Sequence, residues 1–124
     1  KDLPDIWNYK MEEYLGVSPP SNSEGVLQDV HWSGGAFGYF PSYTLGAMYA
    51  CQFYSKMLLD INDISKQIKE GNFSFVKKWL NDNIHKAGRL YSPENLLYKV
   101  TGDSINPDFF ISYLKQKYGQ IYSL

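Results

Sequence analysis

The sequence has few of the residues that build metal centres or disulfide frameworks: one cysteine, Cys51, and two histidines, His31 and His85. A single cysteine excludes an internal disulfide and is typical of a reducing compartment. A zinc site needs three or four ligands in one constellation, and neither H-E-x-x-H nor C-x-x-C occurs in the sequence. We therefore expect no metal to be bound by this chain alone. Cys51 is interpreted as a small apolar filler on a helix, and His85 as a solvated residue near a helix end.

Charge of one sign and long apolar runs are lacking as well. The 12 Lys and Arg and the 13 Asp and Glu give a net charge of −1, which offers no electrostatic basis for binding nucleic acid or an anionic membrane. No apolar run approaches the roughly 20 residues that span a bilayer. The amino terminus lacks both an initiating Met and the apolar segment of a secretion signal. The chain is therefore expected to be a piece or a processed form of a longer protein.

Aromatic residues, in contrast, are abundant. They make up 17% of the 124 residues and include 11 Tyr. One run, 25–46, combines Gln, Asp, His, Trp and two Tyr side chains with five glycines. Hydrogen-bonding groups beside large rings, on backbone that glycine adopts most easily, are typical of a pocket wall. We predict that this run lines an active site whose other parts lie outside the chain.

The remaining pattern predicts an all-α fold, and we treat 1–124 as a single helical unit. Apolar residues at helical spacing predict a helix over 2–15, ended by Gly16, and another that begins near Pro41. Because 44–59 is apolar almost all round, this second helix is expected to be buried. Surface helices follow, with ends expected at Gly71, Gly88, Gly102 and Gly119. Extended backbone is expected at most in a short segment near 26–32, where side chains of two kinds alternate.

His31 is the histidine whose neighbours suggest chemistry. Asp29 lies two residues away, so in extended backbone both side chains would share a face. An Asp–His pair fixes one imidazole tautomer and aims the other ring nitrogen outward. Tyr39 and Tyr43 follow, and phenol and imidazole N–H groups stabilise oxyanions or hold substrate carbonyls. Spacing alone does not decide between this site and a hydrogen-bonded core histidine packed against tyrosine rings.

The run 25–32 reads G-x-x-Q-D-x-H-W and resembles a signature of the carboxypeptidase Taq family of zinc metallocarboxypeptidases. The similarity continues through F-G-Y-F-P-S-Y-T-L-G at 37–46 and through shorter matches at 88–93 and 106–107. It covers essentially the whole chain in the family's order and corresponds to the family's carboxyl-terminal portion. The resemblance therefore implies that 1–124 is a helical fragment of a larger, zincin-like catalytic domain.

The resemblance also implies a function. Members of the family are mainly helical, usually cytoplasmic homodimers that release carboxyl-terminal residues from peptide substrates. Their zinc, or cobalt, is held by H-E-x-x-H and a downstream Glu, all of which lie upstream of the portion matched here. The chain alone is thus expected to be inactive and to require the missing amino-terminal portion of the same enzyme as its partner.

Carried over to this sequence, the resemblance implies that His31 contacts the peptide carbonyl near the scissile bond. Tyr43 or Tyr39 is then the donor to the oxyanion. Gln28 and Asp29 are expected to hold His31, and Trp32 to form wall or packing. The alternative hypothesis is a stand-alone helical module that binds a protein partner through exposed aromatic residues.

Overall fold

A computed structural model describes residues 2–123. Within this range the backbone forms seven α-helices and three 3-10 turns and no β-strand, which confirms the predicted all-α fold. The helices are α1 Leu3–Leu15, α2 Val30–Ser33, α3 Pro41–Asp60, α4 Ile64–Lys69, α5 Ser74–Asn83, α6 Pro93–Thr101 and α7 Asp108–Tyr122. The 3-10 turns are Asn22–Glu24, Val26–Gln28 and His85–Ala87. Among these residues, no helix combines the length and the apolar character that crossing a membrane requires.

The chain divides into two compact units, residues 1–42 and 43–124. The boundary falls in the first turn of α3, which begins at Pro41 as the sequence predicts. The interpretation of the chain as one helical unit of a larger catalytic domain stays a prediction.

In the first unit, α1 ends where the sequence places its end. Gly16 adopts a left-handed conformation with φ 65°, and its N–H donates to the carbonyl of Glu12 at 3.0 Å. The apolar stripe predicted for this helix lines an open cavity of ≈ 370 Å³. The lining residues are Leu3, Ile6, Trp7, Lys10, Met11, Tyr14 and Leu15 of α1, together with Trp32.

The segment 26–32 is not the short strand that its alternation suggested. Val26–Gln28 is a 3-10 turn and Val30–Ser33 is the one-turn helix α2, so Asp29 alone is extended, with φ −78° and ψ 97°. The physical reason is the Asp29 carboxylate, which accepts backbone N–H groups and thereby starts a helix in place of a strand. A period of two over seven residues was too short a signal to separate these conformations.

The second unit has its core between α3 and the helices that follow. Met57, Ile64 and Trp79 are its buried centre, and the partly buried residues packed against them are Phe53, Ile61, Phe75, Val76, Leu80, Ile84 and Val100. Within this chain α3 is not covered on every side, because Leu58 and Leu59 are 46% and 80% exposed, and its burial in a longer protein stays a prediction. The helices of the second unit cover the side of α3 that carries Phe53 and Met57.

A buried amide ties α3 to the connection between α6 and α7. Gln52 is 1% exposed. Its Nε2 donates to the carbonyl of Ser104 at 2.9 Å, and its Oε1 accepts from the backbone N–H of Asn106 at 3.1 Å. Both hydrogen-bonding ends of this side chain are therefore satisfied inside the protein, as a buried polar group requires.

Capping residues set the limits of the last two helices. Ser92 Oγ accepts from the N–H of Asn95 at 3.3 Å ahead of α6, and Gly102, with φ 80°, ends that helix. Asn106 Oδ1 accepts from the N–H of Asp108 at the start of α7. The predicted end at Gly119 is wrong, because α7 continues to Tyr122. A glycine within a helix lowers helix stability by only about 1 kcal/mol relative to alanine, so the helix can continue past this position.

Asp60, at the end of α3, gives a prediction on acid stability. Its carboxylate accepts from Lys56 and, at 2.9 Å, from Trp79 Nε1, and these two contacts hold the pKa of Asp60 below 3.8. A lowered folded-state pKa contributes stability above the unfolded value of about 3.9 that is lost as pH falls through the folded value. Asp60→Asn should therefore make the free energy of unfolding less dependent on pH below about pH 5. Urea midpoints measured along a pH series check this; parallel curves for both proteins would contradict it.

Candidate functional site

The candidate site is built on a tightly packed glycine. Gly25 is buried and separates two 3-10 turns, with φ −119° and ψ −115°. A Cβ at this position would lie 3.0 Å from Pro19 Cβ and 3.2 Å from the carbonyl oxygen of Ser21. A larger residue at this position would require Pro19 or the backbone of Ser21 to shift by a few tenths of an ångström.

Asp29 caps α2 and holds the start of the segment that carries His31. Its Oδ1 accepts from the backbone N–H groups of His31 at 2.8 Å and Trp32 at 3.2 Å. The same oxygen lies 3.4 Å from His31 Nδ1, and the Asp29 side chain is 2% exposed while that of His31 is 23% exposed. The predicted Asp29–His31 pair is thus present, but helix capping brings the two residues together in place of strand alternation.

Two aromatic rings enclose the imidazole of His31. The Tyr39 ring stacks on it at 5.3 Å between centroids with an interplanar angle of 26°, and Phe40 meets it edge-on at 4.8 Å. Gly38, with φ 77°, makes the turn that precedes Tyr39, and Ser42 donates from its N–H and its hydroxyl to the Tyr39 carbonyl at the start of α3. The imidazole of His31 therefore lies beside a carboxylate at Nδ1, with one ring stacked on its face and another packed edge-on.

Trp32 and Gln28 lie at the border of this arrangement. Trp32 contacts Trp7 edge-on at 5.6 Å and stacks on Phe37 at 5.8 Å, in agreement with a packing role. Gln28 is exposed, and its Nε2 donates to the carbonyl of Ser23. The structure therefore shows Gln28 holding the preceding turn, and its expected support of His31 stays a prediction.

The other singled-out residues belong to the second unit. Tyr43 is the third residue of α3 and is 56% exposed. Cys51 is partly buried, and burial raises the pKa of its thiol, which agrees with a packing residue better than with a nucleophile. His85 is exposed in its 3-10 turn, as the sequence predicts.

A metal does not fit the residues described. No group of three or more His, Cys, Asp or Glu side chains within 2–123 is arranged to hold an ion. The site therefore offers hydrogen-bond donors and aromatic walls, and any metal chemistry would require ligands from elsewhere.

Trp7 is the residue near the site that the sequence did not indicate. Its position in the helical stripe of α1 predicted packing alone, yet its ring contacts Trp32 and lines a cavity that Asp29 also lines. The feature of the sequence that could have indicated more than packing is the indole itself, because its N–H donor needs a partner when it is buried.

The chain is similar to known peptidases over its whole length. Residues 1–118 match the family model described as carboxypeptidase Taq (M32) metallopeptidase. Carboxypeptidase 1 of Bacillus subtilis (strain 168) is 44% identical over 124 residues, which are 100% of this chain and 25% of that protein. Thermostable carboxypeptidase 1 of Pyrococcus furiosus is 42% identical over 118 residues, or 95% of this chain and 24% of that protein. The chain thus spans about a quarter of the length of these curated relatives.

Solved structures give the same assignment. The M32 carboxypeptidase from Deinococcus radiodurans R1 matches with a TM-score of 0.93 and 34% identity, covering 99% of this chain and 25% of that one. Trypanosoma cruzi metallocarboxypeptidase 1 matches with a TM-score of 0.88 and 38% identity, covering 94% of this chain and 25% of that one. Sequence and helical architecture agree, and the chain belongs to the carboxypeptidase Taq (M32) family of metallopeptidases.

Proposed function

We propose that this chain is the substrate-contacting, carboxyl-terminal part of a metallocarboxypeptidase that releases carboxyl-terminal amino acids from peptides. The observation that carries the proposal is the held imidazole of His31, with Asp29 Oδ1 at 3.4 Å from Nδ1 and Tyr39 stacked on the ring. The relatives are named carboxypeptidases, and the chain spans about a quarter of their length.

The proposed role of His31 is to donate a hydrogen bond from Nε2 to the peptide carbonyl next to the scissile bond, in the imidazolium form whose Nδ1–H faces Asp29 Oδ1. A donor that is already oriented needs little reorganisation when negative charge develops on the carbonyl oxygen, and this makes such donors effective. Tyr39 supplies a phenol next to His31, and Tyr43 is the alternative phenol named by the sequence. Asp29 positions His31, and Trp32 forms part of the pocket wall.

The rest of the proposed enzyme follows from the family. The described residues contain no cluster of side chains that fits a metal. We therefore propose that the ligands for zinc, or cobalt, come from the amino-terminal portion of the enzyme. We propose a cytoplasmic homodimer as the working form, with a peptide as its substrate.

The purified 124-residue chain is expected to show no carboxypeptidase activity with added Zn²⁺ or Co²⁺, because the described residues contain no ligand cluster. The measurement is release of the carboxyl-terminal residue from an N-acylated dipeptide, with and without a chelator. The reading frame that encodes the chain is expected to contain H-E-x-x-H upstream of Lys1. Chelator-sensitive turnover by the chain alone would contradict the proposal.

A second candidate, the helical interaction module, is favoured by one observation. The apolar residues of α1 and the outer side of α3 are exposed, including Leu15 at 65% and Leu59 at 80%. Surfaces of this kind are typical of docking sites. They are equally expected where the remainder of a larger enzyme packs, and the family membership favours that explanation.

A further inference from the structure

Two consecutive aromatic residues, Tyr39 and Phe40, contact the imidazole of His31 from different directions. Tyr39 stacks on the face of the imidazole at 5.3 Å between centroids, and Phe40 meets it edge-on at 4.8 Å with an interplanar angle of 65°. Both residues are 51% exposed, so neither belongs to the buried core of residues 2–123. Core packing therefore does not account for the placement of both rings against one histidine.

The loop that follows α2 returns the chain to His31. The N–H of Ala36 donates to the carbonyl of His31 at 2.8 Å, and Gly38 adopts the left-handed region, with φ 77°, directly before Tyr39. Ser42 then donates to the carbonyl of Tyr39 from its N–H at 3.0 Å and from its hydroxyl at 2.6 Å. Backbone hydrogen bonds on both sides of the two rings therefore hold the segment that presents them to His31.

A donor at Nε2 has to be aimed by its surroundings. The χ2 torsion of histidine turns about an sp³–sp² bond and has only broad minima, so the side chain by itself does not fix the plane of its ring. Asp29 Oδ1 lies 3.4 Å from Nδ1, which is longer than an ordinary N–H···O hydrogen bond, and it constrains only one atom of the ring. A ring stacked on the face opposes tilting of the imidazole, and a ring at its edge opposes displacement within the plane.

We propose that Tyr39, through its ring, and Phe40 are positioning residues that hold the imidazole of His31 in the plane from which Nε2 donates. When His31 is an imidazolium, its positive charge is also attracted to the negative face of the tyrosine ring. This role belongs to the ring and is separate from the question of which phenol serves the oxyanion. The contacts exist independently of the proposed peptidase function, but their value for turnover rests on that function.

Substitutions at position 39 separate the ring from the hydroxyl. Tyr39→Phe removes the hydroxyl alone, whereas Tyr39→Leu removes the ring as well, so the ratio of their activities measures the ring. With the full-length enzyme and an N-acylated dipeptide, kcat of Tyr39→Leu is expected to lie about 2–10-fold below that of Tyr39→Phe, with a smaller change in KM. This is the factor that corresponds to the stability of a stacked aromatic pair.

Two further variants complete the kinetic series. Phe40→Leu removes the edge contact and is expected to lower kcat relative to the wild-type enzyme by a factor in the same range. Tyr122→Leu is the matched control, because it removes a tyrosine ring that stacks on Tyr118 of α7 at 6.1 Å and not on His31. It should leave kcat unchanged.

Nuclear magnetic resonance of the full 124-residue chain tests the contact without any activity. Protons over the face of an aromatic ring are shielded by its ring current, so the imidazole C–H signals of His31 should move downfield in Tyr39→Leu and stay near their original position in Tyr39→Phe. His31→Ala assigns these signals by their loss. His85, which is exposed in a 3-10 turn of the second unit, is the reference within the same chain, and its signals should not move.

The positioning role and the peptidase function fail separately. Equal kcat for Tyr39→Leu and Tyr39→Phe, together with a loss in His31→Ala, would overturn the positioning role and leave the peptidase function standing. His31 signals that do not move in Tyr39→Leu would overturn the stacked contact itself. Full turnover in His31→Ala together with the expected shifts would overturn the peptidase function, and the positioning role with it, while the contact remains. If Tyr39→Leu loses its helical circular dichroism, Phe40→Leu applies the kinetic test through the edge contact.

Discussion

His31→Ala is expected to lower kcat of the proposed peptidase by about 10²–10³-fold, with a smaller change in KM. The reason is that a donor aimed at the developing oxyanion bonds more strongly in the transition state than to the ground-state carbonyl. The 3.4 Å separation from Asp29 and the stacked Tyr39 show a ring that is oriented before substrate arrives. Steady-state kinetics on an N-acylated dipeptide, with the full-length enzyme, provides the measurement.

His85→Ala is the matched control for this experiment. His85 is exposed in a 3-10 turn of the second unit, so its removal should leave kcat unchanged. Tyr39→Phe and Tyr43→Phe remove one hydroxyl each and keep the ring, and the phenol that serves the oxyanion should show a loss comparable to that of His31→Ala. Wild-type turnover in the His31 variant and in both Tyr variants would end the assignment of the site.

Gln52→Leu is expected to lower the free energy of unfolding by roughly 1–3 kcal/mol. Gln52 is 1% exposed and satisfies two backbone groups, the carbonyl of Ser104 and the N–H of Asn106. Leucine fills a similar volume but removes the partner of both groups. Ser104 is exposed, so water can replace the bond to its carbonyl, and the expected cost is that of about one unsatisfied buried group, about 1–3 kcal/mol. Urea unfolding monitored by circular dichroism measures the difference.

Gln120→Leu separates this effect from the general cost of adding an apolar side chain. Gln120 is exposed on α7, and substitutions at such positions usually change stability by less than about 0.5 kcal/mol. The two variants should therefore unfold at clearly different urea concentrations. Equal midpoints would show that the buried amide does not stabilise the connection between α6 and α7.

The helical architecture could be predicted because local residues determine where each helix begins and ends. Helix ends are set by residues that act on the backbone of their own segment, and they can therefore be read from the local sequence. Examples are the proline in the first turn of α3, Ser92 ahead of α6, and the left-handed Gly16 and Gly102. Gly119 shows the limit of that reasoning. A glycine ends a helix only where the chain turns away, and at this position α7 continues.

The features that the sequence did not predict depend on contacts between distant residues. The Asp29–His31 pair is a local exception: the pair was expected from spacing, and only the helix cap that joins the two residues was not. Trp7 lies 22 positions before Asp29 in the sequence, and no local pattern connects an indole in an apolar stripe to a cavity that a carboxylate also lines. Gln52 likewise bonds to residues more than 50 positions away.

Asp29 Oδ1 has a consequence for any attempt to engineer the proposed peptidase. A single oxygen atom starts α2 and lies beside the imidazole, so we expect stability and turnover of the proposed peptidase to change together when this atom is removed. Directed evolution that selects for one property should therefore retain an acceptor at position 29 even when the other property is not screened. Libraries that diversify this position would lose both properties together, and mutations intended to tune catalysis are better placed on the surrounding rings.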